Sequence, residues 1–508
     1  MTTASLSHPS ADAPLLSPSQ FRAATAAVMM TILMAALDQT IVSVAVPTIA
    51  RQLGGFEWMA WVISGYLIAS TVVTPLYGRF SDLVGRRRVM TIAIVLFLLA
   101  SVGCALAQTL PELVIARVLQ GAGGGGLIAT AQSVIADVVP LRERGKYQGY
   151  ISIVWAVASM AGPVIGGVLT EYLSWPWIFW INLPVGVVAL ALVRSALKAL
   201  PVRRGTPRID GLGALLLLSA LTALLVPITR VGQGTPWNDA ANLIGWAIAL
   251  VLGGVFVAQQ RRHPDAIVPM ALFANRTVVA CCALLFICFF NFIALSVLVP
   301  LRLQLVGGLS AAQAALSLLP MTLSIPAAAF FSGRWLSHSG RVLPLQRIGV
   351  TLVPIALLAL GLTPADGAFT VATLIVLGIG MGLQMPTTLI TVQQSVPHEQ
   401  IGTVTALTAF FRLLGGAIGV AVLSSVVLLL LLREHLPAGV QSLDAEGLGA
   451  LLDASRSGHS VAASDGAFRK VMLLSGLVSL GSLWFVTRLP DLRLHDASAA
   501  VKEAAVEL

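Results

Sequence analysis

Charge is what this chain has least of. Asp, Glu, Lys and Arg make up 10% of its 508 residues, against 57% hydrophobic residues and a mean hydropathy of +0.90. That balance excludes a soluble globular protein, in which about a quarter of residues are charged. Also missing is the apolar–polar alternation of a membrane β-barrel. The apolar runs are continuous, so helices are the elements able to satisfy their own backbone in hydrocarbon. Cysteine is scarce. The four thiols, Cys104, Cys281, Cys282 and Cys288, all lie in apolar runs without zinc-ligand or thioredoxin spacing, and read as packing residues. No Walker A sequence offers a site for ATP. No paired carboxylates, metal-ligand cluster or nucleophile constellation stands in a catalytic setting. Neither an enzyme nor a bound cofactor or metal is expected.

What is present is a series of apolar runs, each of roughly twenty residues and so long enough to cross about 30 Å of hydrocarbon. About fourteen can be counted. Their cores lie near residues 22–47, 58–77, 89–108, 112–136, 148–170, 178–198, 212–229, 240–258, 277–300, 311–333, 343–362, 368–390, 403–431 and 470–487. Residues 1–20 are Ser- and Pro-rich and lead into a full span with no cleavage-type small-residue site, so the first span is expected to be retained.

The net charge of +9 does not point to nucleic acid, because the basic residues gather in alternate loops. These clusters are Arg79 with Arg86, Arg87 and Arg88; Arg142 with Arg144 and Lys146; Lys198 with Arg203, Arg204 and Arg208; Arg261 with Arg262 and Arg276; and Arg334 with Arg341. A cytoplasmic N-terminus puts about twenty-two of the 31 basic residues inside and about seven outside. A multi-pass protein of the inner membrane with both termini cytoplasmic is therefore expected. Trp58, Trp61, Trp175 and Trp177 then fall at the outer surface, where aromatic belts form.

The chain also repeats itself. GRFSDLVGRRR begins at Gly78 and GRWLSHSGR at Gly333, each with a second Gly-Arg seven residues on, at Gly85-Arg86 and Gly340-Arg341. Each segment reads as a loop joining the second and third spans of a six-span unit, provided spans seven and eight are an inserted pair. The layout is then six plus two plus six, a duplicated transporter with parallel halves. It divides into a tail (1–21), a first bundle (22–199), a linker with two inserted spans (200–276), a second bundle (277–488) and a final tail (489–508). The second bundle includes a polar outer loop at 432–469, rich in Ser, Gly and Ala.

Within this apolar setting a few polar residues stand out. Asp38 lies inside the first span, where a lone acid costs roughly 2.5–3.5 kcal/mol, and such residues face a partner, a cavity or a proton path. Arg117, in the antiparallel fourth span, falls at a similar depth at 1.5 Å per residue. Burial raises a carboxyl pKa and a nearby cation lowers it, so the pair is suited to proton exchange. Gln120 lies one turn further along the same face. Asp82, Arg86 and Arg87, with Asp137 as partner, are expected to form a charge network that gates the two halves.

The formal G-x-G-x-x-G at Gly121–Gly126 continues an apolar span with no preceding strand, so it is not a dinucleotide site. Small residues there let backbones approach closely, as do Gly162 and Gly166 around Pro163. Arg412 is a second deep cation whose partner is not readable, because the spans from 277 to 431 hold no Asp or Glu. Tyr66, Gln120, Trp155, Asn291, Gln304 and Phe411 are the candidate lining of a mixed cavity.

Five segments give the chain a recognisable likeness. LDQTIVSVAVP (Leu37–Pro47), GRFSDLVGRRR, RVLQGAGGGG (Arg117–Gly126), AGPVIGGVL (Ala161–Leu169) and WPWIFWINLPVG (Trp175–Gly186) together resemble the fourteen-span drug:proton antiporters of the major facilitator superfamily. Ser43 and Val46 depart from the more usual Asn and Leu of the first segment. The resemblance implies an all-α integral membrane fold of two six-helix halves plus two inserted helices. It also implies export of hydrophobic or cationic small molecules in exchange for protons. It carries over the antiporter motif to Gly162, Pro163, Gly166 and Gly167, which would pack between the halves and limit leak. Three alternatives stay open: a single endogenous metabolite, siderophore or lipid as cargo; assembly with a periplasmic adaptor and outer-membrane channel; and a membrane sensor that kept the fold without transport.

Overall fold

The computed structural model describes residues 17–54, 58–140, 143–199, 210–232, 235–263, 266–309, 311–363, 367–433 and 461–491. Most of both tails, most of the 200–211 linker and the larger part of the expected outer loop therefore lie outside the described residues. The described chain is helical almost throughout, and local chemistry sets where the helices begin. Ser17 caps α1 (Pro18–Leu53) in a reciprocal box: its hydroxyl accepts the Gln20 N–H at 3.3 Å and the Gln20 side chain accepts the Ser17 N–H at 3.0 Å. Pro18 follows at the first helical position, where its missing N–H costs nothing. Thr109 likewise caps α4 (Leu110–Val138) through the Glu112 N–H.

Between them run α2 (Met59–Val84) and α3 (Arg86–Leu106), and α5 (Arg144–Tyr172) follows. The expected sixth span divides into α6 (Trp177–Trp180) and α7 (Asn182–Ala196). The pair expected to be inserted corresponds to α8 (Gly211–Gly232) and α9 (Ala240–Gln260). The second bundle comprises α10 (Arg276–Leu305), α11 (Ala311–Leu316), α12 (Leu319–Ser339), α13 (Leu343–Leu362), α14 (Gly367–Gln394), α15 (Ile401–Arg433) and α16 (Val461–Val486). Among the described residues, thirteen candidate spans are long and apolar enough to cross a membrane. Helix α12 lies where a further span was expected; serines, prolines and Arg334 dilute its apolar run, and it packs between α5 and α14.

Three boundaries differ from expectation. The span predicted over 311–333 breaks after α11, because Pro320 starts a new helix in its first turn. The Gly-Arg segments are helical for most of their length: Gly78–Val84 ends α2 and Gly333–Ser339 ends α12, and only Gly85 in the first and Gly340-Arg341 in the second leave the helix. The outer loop drawn to 469 ends earlier, since α16 already begins at Val461.

The repeat now has a physical meaning. Its second glycines, Gly85 and Gly340, have φ of +98° and +66°, a backbone that L side chains disfavour, and each turns one helix into the next. Its first glycines are points of close approach. A Cβ at Gly78 on α2 would lie 2.2 Å from Ala406 Cβ on α15; one at Gly333 on α12 would lie 2.0 Å from the Gly145 carbonyl on α5. So α2 meets α15 and α5 meets α12, and these are the main seams between the two bundles. Gly85 and Gly340 thus mark one end of the molecule, the signature end.

Each bundle has its own core, around Ile32, Phe97, Leu127 and Val193 in the first and Leu298, Met321, Leu357 and Phe468 in the second. The helices α8 and α9 pack on each other, and α8 leans on the α2–α15 seam through Leu221 and Leu225. Asp210 latches this pair at its start. Its carboxylate accepts the Gly213 N–H at 2.7 Å, Gln259 Nε2 at 2.9 Å and Gln260 Nε2 at 2.6 Å.

Candidate functional site

Asp38 sits on α1 with no exposed surface, and four other helices supply its surroundings. From α4, Arg117 Nη1 lies 2.6 Å from Asp38 Oδ2, and Gln120 Nε2 donates to Asp38 Oδ1 at 2.8 Å. From α7, Asn182 Nδ2 donates to the same oxygen at 2.9 Å. Ser101 on α3 accepts from Gln120 at 2.8 Å and from Asn182 at 3.3 Å. From α2, the Val62 carbonyl accepts Arg117 Nε at 3.2 Å, and the Tyr66 ring lies 4.3 Å from the guanidinium carbon.

The glycines of α4 make this convergence possible. A Cβ at Gly121 would come within 2.3 Å of the Tyr66 carbonyl, and one at Gly123 within 2.7 Å of Phe97 N. Close helix contact in turn buries the pair almost completely. Arg117 is 2% exposed and Gln120 0%. A buried ion pair is costly to form but more costly to halve, since removing one partner strands the other charge. Carboxylate and guanidinium are therefore coupled: a change of charge on either is felt directly by the other.

The second cluster is at the signature end. Arg86 Nε lies 2.7 Å from Asp137 Oδ2 and its Nη1 2.6 Å from Asp82 Oδ1. Asp82 also reaches across to the second bundle. It accepts the backbone N–H of Gly402 at 3.1 Å and of Thr403 at 2.7 Å, and the Thr403 hydroxyl at 2.7 Å. These are first-turn amides of α15, with no partner inside their own helix, so an aspartate of one half caps a helix of the other. Arg144 adds a second tie, donating to Gln393 on α14 at 3.3 Å and to the carbonyls of Val139 and Ala136. Arg87, half-buried, makes none of these ion pairs; Arg86 alone carries the network expected of both.

Above this closure lies a cavity of about 70 Å³ between the bundles. Gln132, Gln148, Ser152 and Trp155 line it from the first half; Leu285, Met385, Leu389, Thr405, Thr408 and Arg412 line it from the second. Gln148 donates to Gln132 at 2.8 Å. Arg412 stands 5.1 Å from the centre of the Phe289 ring.

Of the six expected lining residues, Trp155 is in place. Tyr66 and Gln120 are buried in the Asp38 cluster instead. Asn291 is buried between α10 and α16, donating to Ser479 Oγ at 2.9 Å and accepting from Ser475. Gln304 is one residue from the far end of α10, and Phe411 packs in the α2–α8–α15 seam.

The glycine motif of α5 also sits elsewhere than expected. Gly162 and Gly166 face α1, where a Cβ would meet Thr40 Oγ1 at 2.0 Å and the Ile41 carbonyl at 2.9 Å. Pro163 is exposed, and Gly167 has no neighbour within 4 Å of a Cβ. Toward the signature end α5 does meet the other half, with Gly145 and Gly149 against Gly333 and Phe330. Small residues pack wherever a partner helix crosses, and here the crossing helix is α1.

Two features were not singled out from sequence. Asn182 and Ser101 complete the Asp38 cluster; Asn182 stands inside the quoted WPWIFWINLPVG segment, where an amide among aromatics was the available signal. Arg302 and Asp465 pair at 2.7 Å at the far end of the second bundle, with Arg302 also donating to the Leu360 and Thr363 carbonyls.

Known proteins place this geometry. A family model described as Major Facilitator Superfamily matches residues 28–420. An uncharacterized MFS-type transporter of Mycobacterium tuberculosis is 38% identical over 418 residues, 81% of this chain and 60% of that protein. The chain thus spans about three-fifths of the length of that relative. The multidrug transporter protein MdtP of Bacillus subtilis is 33% identical over 394 residues, 77% of this chain and 72% of that protein. Among solved structures, the human organic anion transporter MFSD10 has a TM-score of 0.61 at 17% identity, over 91% of this chain and all of its own. The proton:xylose symporter XylE has a TM-score of 0.61 at 16% identity, over 94% of this chain and 97% of its own. At such identity the likeness is one of fold.

Proposed function

This chain belongs to the Major Facilitator Superfamily, and from that membership we propose a proton-coupled antiporter that exports hydrophobic small molecules across the inner membrane, with both termini in the cytoplasm. The observation that carries the reading is Asp38, a carboxylate with no exposed surface, held by one arginine and two amides and set apart from the cavity. Similarity to a multidrug transporter supports the efflux direction. The cationic cargo expected from sequence finds no acid in the cavity wall.

The two sites lie at different depths. Arg117 is twenty residues along α4 from Asp137, and Arg412 nine residues along α15 from Thr403. Asp137 and Thr403 stand at one level, bridged by Arg86 and Asp82. At 1.5 Å per residue the proton site is about 15 Å further from the signature end than the cargo site. Proton and cargo therefore do not compete for one carboxylate; they act on one equilibrium between states. A proton on Asp38 releases Arg117 from its ion pair and loosens the joint of α1, α4 and α7. Opening the signature end then requires Asp82 to leave the first turn of α15 and Gly145 to part from Gly333. Cargo leaves on one face and the proton on the other as the halves rock.

Purified protein in proteoliposomes tests this, with an imposed pH gradient and a panel of lipophilic fluorescent dyes. Gradient-driven dye movement in the wild type is expected, lost in Asp38→Asn while dye binding persists. Movement undiminished in Asp38→Asn would overturn the role of Asp38. A wild type that binds dyes yet moves none under a gradient would overturn antiport.

A further inference from the structure

Five arginines lie deep enough in the bundle to need an accounting of their charge. Arg86, Arg117 and Arg302 each meet a carboxylate at 2.6–2.7 Å. Arg144 meets two backbone carbonyls and Gln393. Arg412 differs from all of these. Among the described residues it has no carboxylate and no carbonyl acceptor, and the group recorded against it is the face of Phe289. It is half-buried because it opens onto the cavity between the halves. A guanidinium keeps its charge in such a setting, and its fork of N–H donors is matched by the two oxygens of a planar oxyanion.

The rest of the wall fits the same conclusion. Among the described residues no Asp or Glu lines the cavity, and none occurs anywhere in α10 to α15 as those helices are bounded. The acids of the first half that come nearest in role, Asp38, Asp82 and Asp137, are each already engaged by another arginine. Gln148 and Ser152 stand opposite on α5, Thr405 and Thr408 lie beside Arg412 on α15, and Trp155 and Leu285 offer an apolar surface; the Ser152 and Thr408 hydroxyls are already donated to the Gln148 and Thr405 carbonyls.

We infer that this cavity is an oxyanion site: Arg412 receives the carboxylate or sulfonate of an amphiphilic organic anion whose apolar body lies against Trp155 and Leu285. The inference deepens the transport reading by naming its cargo class, and rests on that reading for calling the ligand a cargo. The size of the cavity sets the order of events. At about 70 Å³ it falls below the ~300–1,000 Å³ of a drug-sized site. In this closed state it admits a head group alone, and the body enters as the halves separate.

The test uses three probes with one fluorophore and different ends: dansylglycine, dansylglycinamide and dansylethylenediamine. Their binding to the full chain in nanodiscs is read by dansyl fluorescence against empty nanodiscs at fixed salt. The acid is expected to bind about tenfold or more tighter than the amide, on the order of one charge-assisted hydrogen bond, and the amine weakest. Arg412→Gln is expected to bring acid and amide to equal affinity, and Arg412→Lys to keep part of the preference. Equal affinities or a preference for the amine in the wild type would overturn the proposal without recourse to any variant. So would an acid preference that survives intact in folded Arg412→Gln. Asp38→Asn is expected to keep the acid preference while losing gradient-driven uptake. If the wild type prefers the acid but moves none of the probes under a pH gradient, the antiport reading fails and the oxyanion site stands.

Discussion

Arg117 on α4 and Arg412 on α15 are both arginines set in the middle of a helix bundle, one in each half, and they are treated in opposite ways. Arg117 is 2% exposed, 2.6 Å from a carboxylate, and its remaining donors reach Gln120 and the Val62 carbonyl. Arg412 faces a cavity and a phenyl ring. The first is a closed circuit that ties α1, α2 and α4 together; the second has unused donors aimed where a ligand can come. Polar donors spent inside the protein give shape, and donors left over give recognition. The acids follow the same division, paired within the first half and missing from α10 to α15 of the second.

The sharpest way to break this contrast is one substitution made twice. Arg117→Met strands Asp38 among amides and is expected to cost about 3–5 kcal/mol of stability, read as a fall in the unfolding transition of the purified protein. Arg117→Met combined with Asp38→Asn should recover most of that loss. Arg412→Met strands nothing and should be neutral or mildly stabilising. Equal losses at the two positions would end the distinction.

A smaller contrast lies along α5. Gly162→Ala drives a methyl onto Thr40 and should destabilise by about 1–3 kcal/mol, whereas Gly167→Ala, with open space before it, should be neutral or gain helix propensity. Melting curves of the two variants decide it. Smaller still, Asp82→Asn keeps an acceptor for the first turn of α15 but loses the charge. It should weaken closure at the signature end by about 0.5–2 kcal/mol, seen as increased thiol access to a cysteine placed at Thr405.

The smallest effect concerns Asp210. Burial raises its pKa, but the Gly213 N–H, the Gln259 and Gln260 amides and the His263 ring outweigh this and hold the carboxyl below its ordinary value. A lowered acid stabilises the fold above its unfolded pKa and ceases to do so as pH falls through the folded one. The wild type should therefore melt above Asp210→Asn at pH 7, and the gap should shrink below about pH 4.

The helical membrane architecture and the Asp38–Arg117 pairing were legible in the sequence, because both rest on strong local signals. Continuous apolar runs announce spans, and a charge inside one demands a partner at matching depth. What was not legible depended on which face a residue turns. Tyr66, Gln120 and Asn291 look like cavity lining in a linear sequence, but helix rotation carries them into sealed contacts. Gly162 and Gly166 announce a close crossing without naming the helix that crosses, and the structure supplies α1 where the family likeness implied the other half. Arg302 and Asp465 are 163 residues apart in the chain, and Asp465 stood in a segment read as loop. The split between α11 and α12 was written in Pro320, but a proline is equally at home within a membrane helix.

The placement of the cysteines has a practical consequence. All four are at most 2% exposed, and each is embedded in helix contacts. A maleimide or methanethiosulfonate reagent meets no accessible native thiol, since buried thiols in apolar surroundings are inert. The chain is therefore already a blank background for single-cysteine reporters. Spin labels or fluorophores on either side of the Gly145–Gly333 contact would follow the separation of the halves with the native sequence otherwise untouched.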